Sequence, residues 1–197
     1  PPVTNTLKNL SQGLLPSEYE DWNPEMVIEG KAIHAVWTNR AGNTDGYLFY
    51  ARSTDLGETW ETPQQIWQYK DGGYATEVVS RKLAVSGNDV YICIPHFDYY
   101  DRNSDGLYLA KSSNNGESFN EPVKLDFAGT GTWRIRARSF IKAAGSEVAI
   151  LYRIADHEDK TVAINTLYSS NGGGNFSKTT VTTERNDVAD FWYDGDQ

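Results

Sequence analysis

The sequence predicts an all-β protein made of repeated antiparallel sheets, each of four short strands. An eight-residue pattern occurs three times, with starts 59 and 57 residues apart at Ser53, Ser112 and Ser169. Glycines and apolar positions recur with nearly the same spacing. Strand- and turn-favouring residues are abundant, with 12 Tyr, 6 Trp and 17 Gly among 197 residues. Four-stranded repeats of this length are typical of the blades of a β-propeller, of which the chain holds about three.

The eight-residue pattern, here called the octet, reads STDLGETW at 53–60, SSNNGESF at 112–119 and SSNGGGNF at 169–176. We expect it to form the turn between the third and fourth strands of each sheet. Asp or Asn accepts hydrogen bonds from backbone N–H groups, serine assists, glycine permits a positive φ, and the aromatic residue returns to the core. The residues in these roles are Ser53, Asp55, Gly57, Trp60, Ser112, Asn114, Gly116, Phe119, Ser169, Asn171, Gly173 and Phe176.

Each repeat is predicted to contribute four strands, and the repeats cover about 12–69, 70–127 and 128–185. The second strand of each repeat follows Gly30, Gly87 or Gly145 and is apolar at successive positions, which indicates burial on both faces. The predicted strands are 24–29, 32–38, 47–52 and 60–68, then 79–86, 89–95, 106–111 and 119–126, then 134–143, 147–153, 162–168 and 176–183.

The two ends of the chain resemble strands of flanking sheets, over residues 1–11 and 186–197. Three blades are not expected to close a ring, so the sequence favours one partial propeller domain that belongs to a longer, six-bladed ring. Two copies that assemble into a ring, or a half-ring on its own, are the alternatives. In those cases the terminal sheets would present open apolar faces, and we expect the chain to self-associate through them.

Composition excludes several classes of function. The net charge of −9 and the pI of about 4.8 argue against a nucleic-acid partner. No apolar stretch approaches the roughly 20 residues of a membrane helix, so we expect no membrane partner. Cys93 is the only cysteine and the histidines lack ligand spacing, so we expect neither a metal nor a cofactor.

The octets resemble the Asp box of the sialidase-like, or BNR-repeat, β-propellers, and the resemblance covers residues 12–183. The first octet matches fully, whereas Asn114 and Asn171 stand where the family usually has Asp. The resemblance implies a six-bladed ring, a structural role for the octets, and an active site around the central axis on the opposite face. It also implies a secreted or periplasmic protein.

The loops of that opposite face carry acidic, basic and aromatic side chains. Rings stack on the apolar faces of sugars and charged groups pair with hydroxyls, so these loops are candidates for carbohydrate binding. The alternative is that they are ordinary solvated loops of an acidic protein. The candidates are Tyr74, His96, Asp98, Tyr99, Tyr100, Arg102 and Trp133.

Arg134, Arg136 and Arg138 alternate along one predicted innermost strand, so they share one side of it. Such a set can hold a carboxylate bidentately. Sialidases bind a sugar carboxylate with three arginines from different blades, so this triple is not that triad. Pairing with neighbouring acidic residues is the alternative.

The catalytic set that the resemblance implies is incomplete. Trp22-Asn23-Pro24 stands where the family has an Arg-Ile-Pro stretch. Asp45, with Arg40 upstream, is a weak candidate for the acid, because Asp105-Gly106 repeats Asp45-Gly46 in the next sheet and indicates turn chemistry. The family's tyrosine nucleophile lies in a late blade.

We therefore expect a sialidase-like, glycan-related propeller without activity of its own in this chain. One alternative is part of an active exo-sialidase or related glycoside hydrolase. The other is a propeller that binds proteins and has no enzymatic function.

Overall fold

The chain folds into three four-stranded antiparallel sheets, which confirms the predicted fold class. The computed structural model describes residues 8–15, 20–40, 46–69, 82–96, 105–127, 134–155 and 161–183. Sheet 1 holds β1 (Glu20–Glu29), β2 (Ala32–Arg40), β3 (Gly46–Ser53) and β4 (Gln64–Tyr69). Sheet 2 holds β5 (Lys82–Ser86), β6 (Asp89–His96), β7 (Gly106–Ser112) and β8 (Val123–Asp126). Sheet 3 holds β9 (Arg134–Ala144), β10 (Glu147–Ala155), β11 (Thr161–Ser169) and β12 (Ser177–Thr182).

Within each sheet the strands lie side by side in chain order. The first strands of successive sheets contact one another, β1 with β5 and β5 with β9. The first strand of each sheet is therefore the innermost, and the fourth lies at the outer rim. This arrangement places all octets on one face of the molecule and the C-terminal ends of the second strands on the other.

Two fourth strands begin later than predicted because of proline. β4 begins at Gln64 rather than at residue 60, and β8 begins at Val123 rather than at 119. Pro63 and Pro122 directly precede these strands, and proline has no N–H to give to a ladder. The third repeat has no proline there, and β12 begins at Ser177, one residue from its predicted start.

The first strand of sheet 1 begins earlier than predicted, at Glu20. Its register with β2 shifts between Trp22 and Glu25, and Asn23 has a φ of 49°. This bulge accommodates Pro24 inside the strand, since a bulged residue need not donate to the ladder. Trp22-Asn23-Pro24 is thus a local distortion of the innermost strand.

Two apolar cores lie between the sheets. Between sheets 1 and 2 the core contains Val36, Leu48, Tyr50, Leu83, Val90, Ile92, Ile94 and Ala110. Between sheets 2 and 3 it contains Ala84, Tyr91, Cys93, Leu107, Leu109, Ile141, Val148, Ile150, Tyr152, Ile154 and Leu167. Every residue of the central strand β6 except Asp89 is buried, as expected for a sheet covered on both sides.

Each sheet has a leading face, which packs on the sheet before it, and a trailing face, which packs on the sheet after it. The leading face of sheet 1 has no preceding sheet within the described ranges. Trp37, Phe49 and Ala51 on this face are covered by leucines of residues 8–15, namely Leu10, Leu14 and Leu15. Residues 8–11, predicted as part of a strand, form no strand and instead lie in this covering segment.

Candidate functional site

The three octets form the same hydrogen-bonded turn. The hydroxyls of Ser53, Ser112 and Ser169 accept from the N–H of the octet glycine at 2.8, 2.9 and 3.0 Å. The side chain at the third position accepts from the N–H of the seventh residue at 2.8, 3.0 and 3.0 Å. Asn therefore performs the acceptor role of Asp, which explains why the second and third octets keep the turn.

The side chain of Asp55 serves this turn fully. The hydroxyl and N–H of Thr59, followed by the hydroxyl of Ser53, donate to its carboxylate and lower the pKa of Asp55 to about 2. The carboxylate oxygens of Asp55 thus accept hydrogen bonds from other residues of the same turn, which supports a structural role for the octet.

The second and third octets also attach their sheets to the sheet before them. Arg52 donates to the carbonyl of Asn115 at 2.6 Å, and Lys111, at the equivalent position, donates to the carbonyl of Gly172 at 2.7 Å. Arg52 is held by Glu61, and Lys111 by Asp89. On the octet face, neighbouring sheets are thus held together by one such hydrogen bond at each of the two interfaces.

Most sequence candidates on the opposite face lie outside the described residues. These are Asp45, Tyr74, Asp98, Tyr99, Tyr100, Arg102 and Trp133. For Arg40, Arg134, Arg136 and Arg138 the strand positions are described and the side chains are not. Their predicted roles stay predictions.

One juxtaposition on this face was missed by the sequence analysis. Arg136 and Arg153 are direct register partners on β9 and β10, at the ends of these strands that point away from the octets. The register shifts next to this pair, between Tyr152 and Arg153. Arg153 is buried, with 8% of its surface exposed. The predicted strand ends at Arg153, whereas β10 continues to Ala155.

The sequence analysis places His96 in a loop, and this is wrong. It is the last residue of β6, pairs with Gly106, and is only 4% exposed. Its ring lies 5.1 Å from that of Trp67 and 6.1 Å from that of Tyr108. His96 therefore belongs to an aromatic cluster between sheets 1 and 2, and a ligand would reach it only after this cluster opens.

Two features that would mark other kinds of site are absent from the described residues. No group of three His, Cys, Asp or Glu residues there is arranged to hold a metal ion. Within the same ranges no helix has the length and apolarity needed to cross a bilayer.

Solved structures share this arrangement of sheets. A Trypanosoma rangeli sialidase in complex with sialic acid superposes with a TM-score of 0.55 and 20% identity over 79% of this chain. A Penicillium chrysogenum α-L-arabinanase complexed with arabinobiose gives a TM-score of 0.60 and 9% identity over 83% of this chain. A Hadza microbial sialidase gives 0.56 and 14% over 79%. The chain has a β-propeller fold.

This chain corresponds to only part of the length of each of these proteins. The aligned region amounts to 29% of the Trypanosoma sialidase, 36% of the Hadza microbial sialidase and 52% of the arabinanase. No protein-family model matches the chain, and neither does any curated protein sequence. At these identities the structural similarity establishes the fold alone.

Proposed function

We propose that the chain is part of a glycan-binding propeller of the sialidase-like type, with its binding surface on the face opposite the octets. The fold similarity supports a glycan, since the similar structures include one protein bound to sialic acid and another bound to arabinobiose. By the same analogy we propose a secreted or periplasmic location.

The observation that carries the proposal is the register pairing of Arg136 with Arg153. Like charges directly opposite each other on neighbouring strands are unfavourable, and a nearby negative charge reduces this cost. The guanidinium group binds carboxylates through two parallel hydrogen bonds. An acidic sugar is therefore the class of ligand that suits this position better than a neutral one.

We further propose that the chain does not hydrolyse its ligand alone. The innermost strand carries Trp22-Asn23-Pro24 as a bulge where the resemblance implies an Arg-Ile-Pro arginine. A binding function needs only the arginine pair and its surroundings, whereas glycosidic cleavage also needs an acid and a nucleophile.

Calorimetric titration with sialic acid and with neutral arabinobiose tests the binding proposal. We expect Arg136→Gln and Arg153→Gln each to weaken sialic acid binding by about tenfold or more, because a charge-assisted contact is lost. The matched control is Arg52→Gln, which removes an equally buried arginine from the octet face and should leave affinity unchanged. The proposal would be overturned if sialic acid did not bind, or if binding were unchanged in both Arg136→Gln and Arg153→Gln.

A further inference from the structure

We propose that a pocket between sheet 2 and the third octet binds a neutral pyranose sugar. The pocket lies between β7, β8 and the turn at residues 171–176, and its volume is about 460 Å³. Small-molecule sites in proteins typically have volumes of about 300–1,000 Å³. The pocket lies on the octet face, so this inference is independent of the glycan proposal for the opposite face.

The pocket results from smaller side chains in sheet 2 than in sheet 1 at two equivalent positions. Between sheets 1 and 2, the hydroxyl of Tyr50 lies close to Gly116, and Gln64 donates to the carbonyl of Gly116 at 2.8 Å. The equivalent residues of sheet 2 are Leu109 and Val123, which both line the pocket. Part of the space that side chains fill at the first interface is therefore open at the second.

The same difference leaves one hydrogen-bond acceptor of the third octet without a partner. The carbonyl of Gly116 accepts from Gln64, whereas Val123 has no group that could donate to the equivalent carbonyl of Gly173. No other described residue donates to this carbonyl. A hydroxyl group of a ligand can take the place that the carboxamide of Gln64 has at the first interface.

The third octet also has a hydrogen-bond donor without an acceptor among the described residues. In the second octet, the Nδ2 of Asn114 donates to the hydroxyl of Ser118 at 2.9 Å. The equivalent pair in the third octet is Asn171 and Asn175, which share only the bond from the N–H of Asn175 to the Oδ1 of Asn171. Both residues line the pocket, so the Nδ2 of Asn171 is available to a ligand.

The charges around the pocket favour a neutral ligand. Lys111 and Lys124 supply two positive charges, and Glu121 supplies one negative charge. The carboxylate of Asp89 lies 3.1 Å from the ammonium of Lys111 and balances the remaining positive charge. A charged ligand would therefore gain little from the electrostatics of this lining.

The apolar part of the lining suits a sugar ring. Val123 is 61% exposed, and the ring of Phe176 is partly buried at the end of the same turn. A pyranose has C–H groups on its faces and hydroxyls at its edge. It can pack on these apolar groups while its hydroxyls bond to the carbonyl of Gly173 and the amide of Asn171. An apolar peptide side chain would leave those two groups unpaired and would bind less well.

Titration with three neutral sugars, followed by the NMR chemical shifts of the protein, tests the inference. The sugars are methyl α-D-glucopyranoside, methyl β-D-galactopyranoside and methyl α-D-mannopyranoside. We expect at least one to bind with a millimolar dissociation constant, as is typical for so small a ligand.

Val123→Gln copies Gln64, so its carboxamide should occupy the carbonyl of Gly173 and raise the dissociation constant by about tenfold or more. The matched control is Val181→Gln, because Val181 is a valine of the outer strand β12 with a similar exposure of 59%. This control should leave the dissociation constant unchanged. Circular dichroism verifies that both variants fold.

Asn175→Ser copies Ser118 and gives the Nδ2 of Asn171 an acceptor within the turn. We expect it to raise the dissociation constant by about threefold or more, whereas Ser118→Asn in the second octet should not change it. The inference is overturned if none of the sugars binds, or if Val123→Gln and Asn175→Ser both leave the affinity unchanged.

The two binding proposals fail separately. Arg153→Gln should leave the affinity for the neutral sugar unchanged, and Val123→Gln should leave the affinity for sialic acid unchanged. A neutral sugar whose affinity falls in Arg153→Gln and not in Val123→Gln would bind on the opposite face and would overturn the inference about this pocket.

Discussion

The polar side chains buried between sheets 1 and 2 form a small hydrogen-bonded group around His34. This histidine is fully buried, and its Nδ1 lies 2.6 Å from the hydroxyl of Tyr50. Its Nε2 has no hydrogen-bond partner among the described residues. Burial, and then the charge of Arg52, lower the pKa of His34 below 6.5, so the neutral ring is the form that the folded protein favours.

The first prediction concerns acid stability. The unfolded chain takes up a proton on His34 near pH 6.5, whereas the folded chain resists it, so stability is lost as the pH falls through 6.5 toward the lower folded pKa. Between pH 7 and 5 the free energy of unfolding should fall more steeply in the wild type than in His34→Gln, by at most about 1.4 kcal/mol per pH unit. Urea unfolding at each pH measures both slopes, and equal slopes would contradict the assignment.

The second prediction concerns the octet serine. Ser53 is 1% exposed, and its hydroxyl accepts from the N–H of Gly57 at 2.8 Å. Ser53→Ala leaves this N–H without its acceptor and should lower the free energy of unfolding by about 1–3 kcal/mol. The neighbouring exposed Thr54 gives a matched control, because Thr54→Ala should change stability by less than about 0.5 kcal/mol. Denaturant unfolding measures the free energy of unfolding of both variants. Similar losses of stability in the two variants would show that the hydroxyl of Ser53 does not stabilise the turn.

At the scale of elements, the octet of one sheet is fitted to a strand of the sheet before it. Gly116 has a φ of 85°, and a Cβ at this position would overlap the hydroxyl of Tyr50 on β3. The ring of Phe119, from the same octet, packs edge-on against Tyr50 with centroids 4.7 Å apart. Position 116 therefore requires glycine for two separate reasons. The backbone has a positive φ there, and a side chain would collide with Tyr50.

The third prediction separates these two reasons. Gly145 has a φ of 57° with open space around it, so Gly145→Ala measures the conformational cost alone, about 1–2 kcal/mol. Gly116→Ala should cost about 1–3 kcal/mol more, because it also forces Tyr50 out of place. Tyr50→Leu, which copies the equivalent Leu109 of sheet 2, should recover part of this excess in the double variant. Additive effects in thermal unfolding would show that the two residues do not interact.

The sequence predicted the turns and strands well where they depend on residues that are close together in the chain. The three octets and the hairpin glycines Gly30, Gly87 and Gly145 define the strands between them, because turn chemistry and positive φ depend on a few neighbouring residues. Pro63 and Pro122 were visible in the sequence and delay β4 and β8. The bulge at Trp22 was not predicted, since it depends on the register with β2.

At the scale of the whole molecule, pairing across strands limited the prediction of the site. Arg136 was recognised in the sequence, but its pairing with Arg153 was not, because the register at the strand ends is set by tertiary contacts. His96 was misassigned for the same reason. Its burial depends on Trp67, 29 positions earlier in the chain and in another sheet. Local patterns report periodicity and turns, and they do not report which strand ends meet.

The last prediction concerns catalysis by the whole chain. Retaining hydrolysis of a glycoside needs a general acid and a nucleophile about 5–5.5 Å apart. Asp45 is the acid that the sequence analysis singles out, and the resemblance to the sialidase-like propellers implies a tyrosine nucleophile in a late blade. Losing even one group that stabilises the transition state typically slows a reaction by about 10²–10³-fold. We therefore expect no detectable release of fluorophore from a fluorogenic sialoside by this chain. Turnover that Asp45→Asn abolishes, while the octet control Asp55→Asn retains it, would instead identify Asp45 as the general acid.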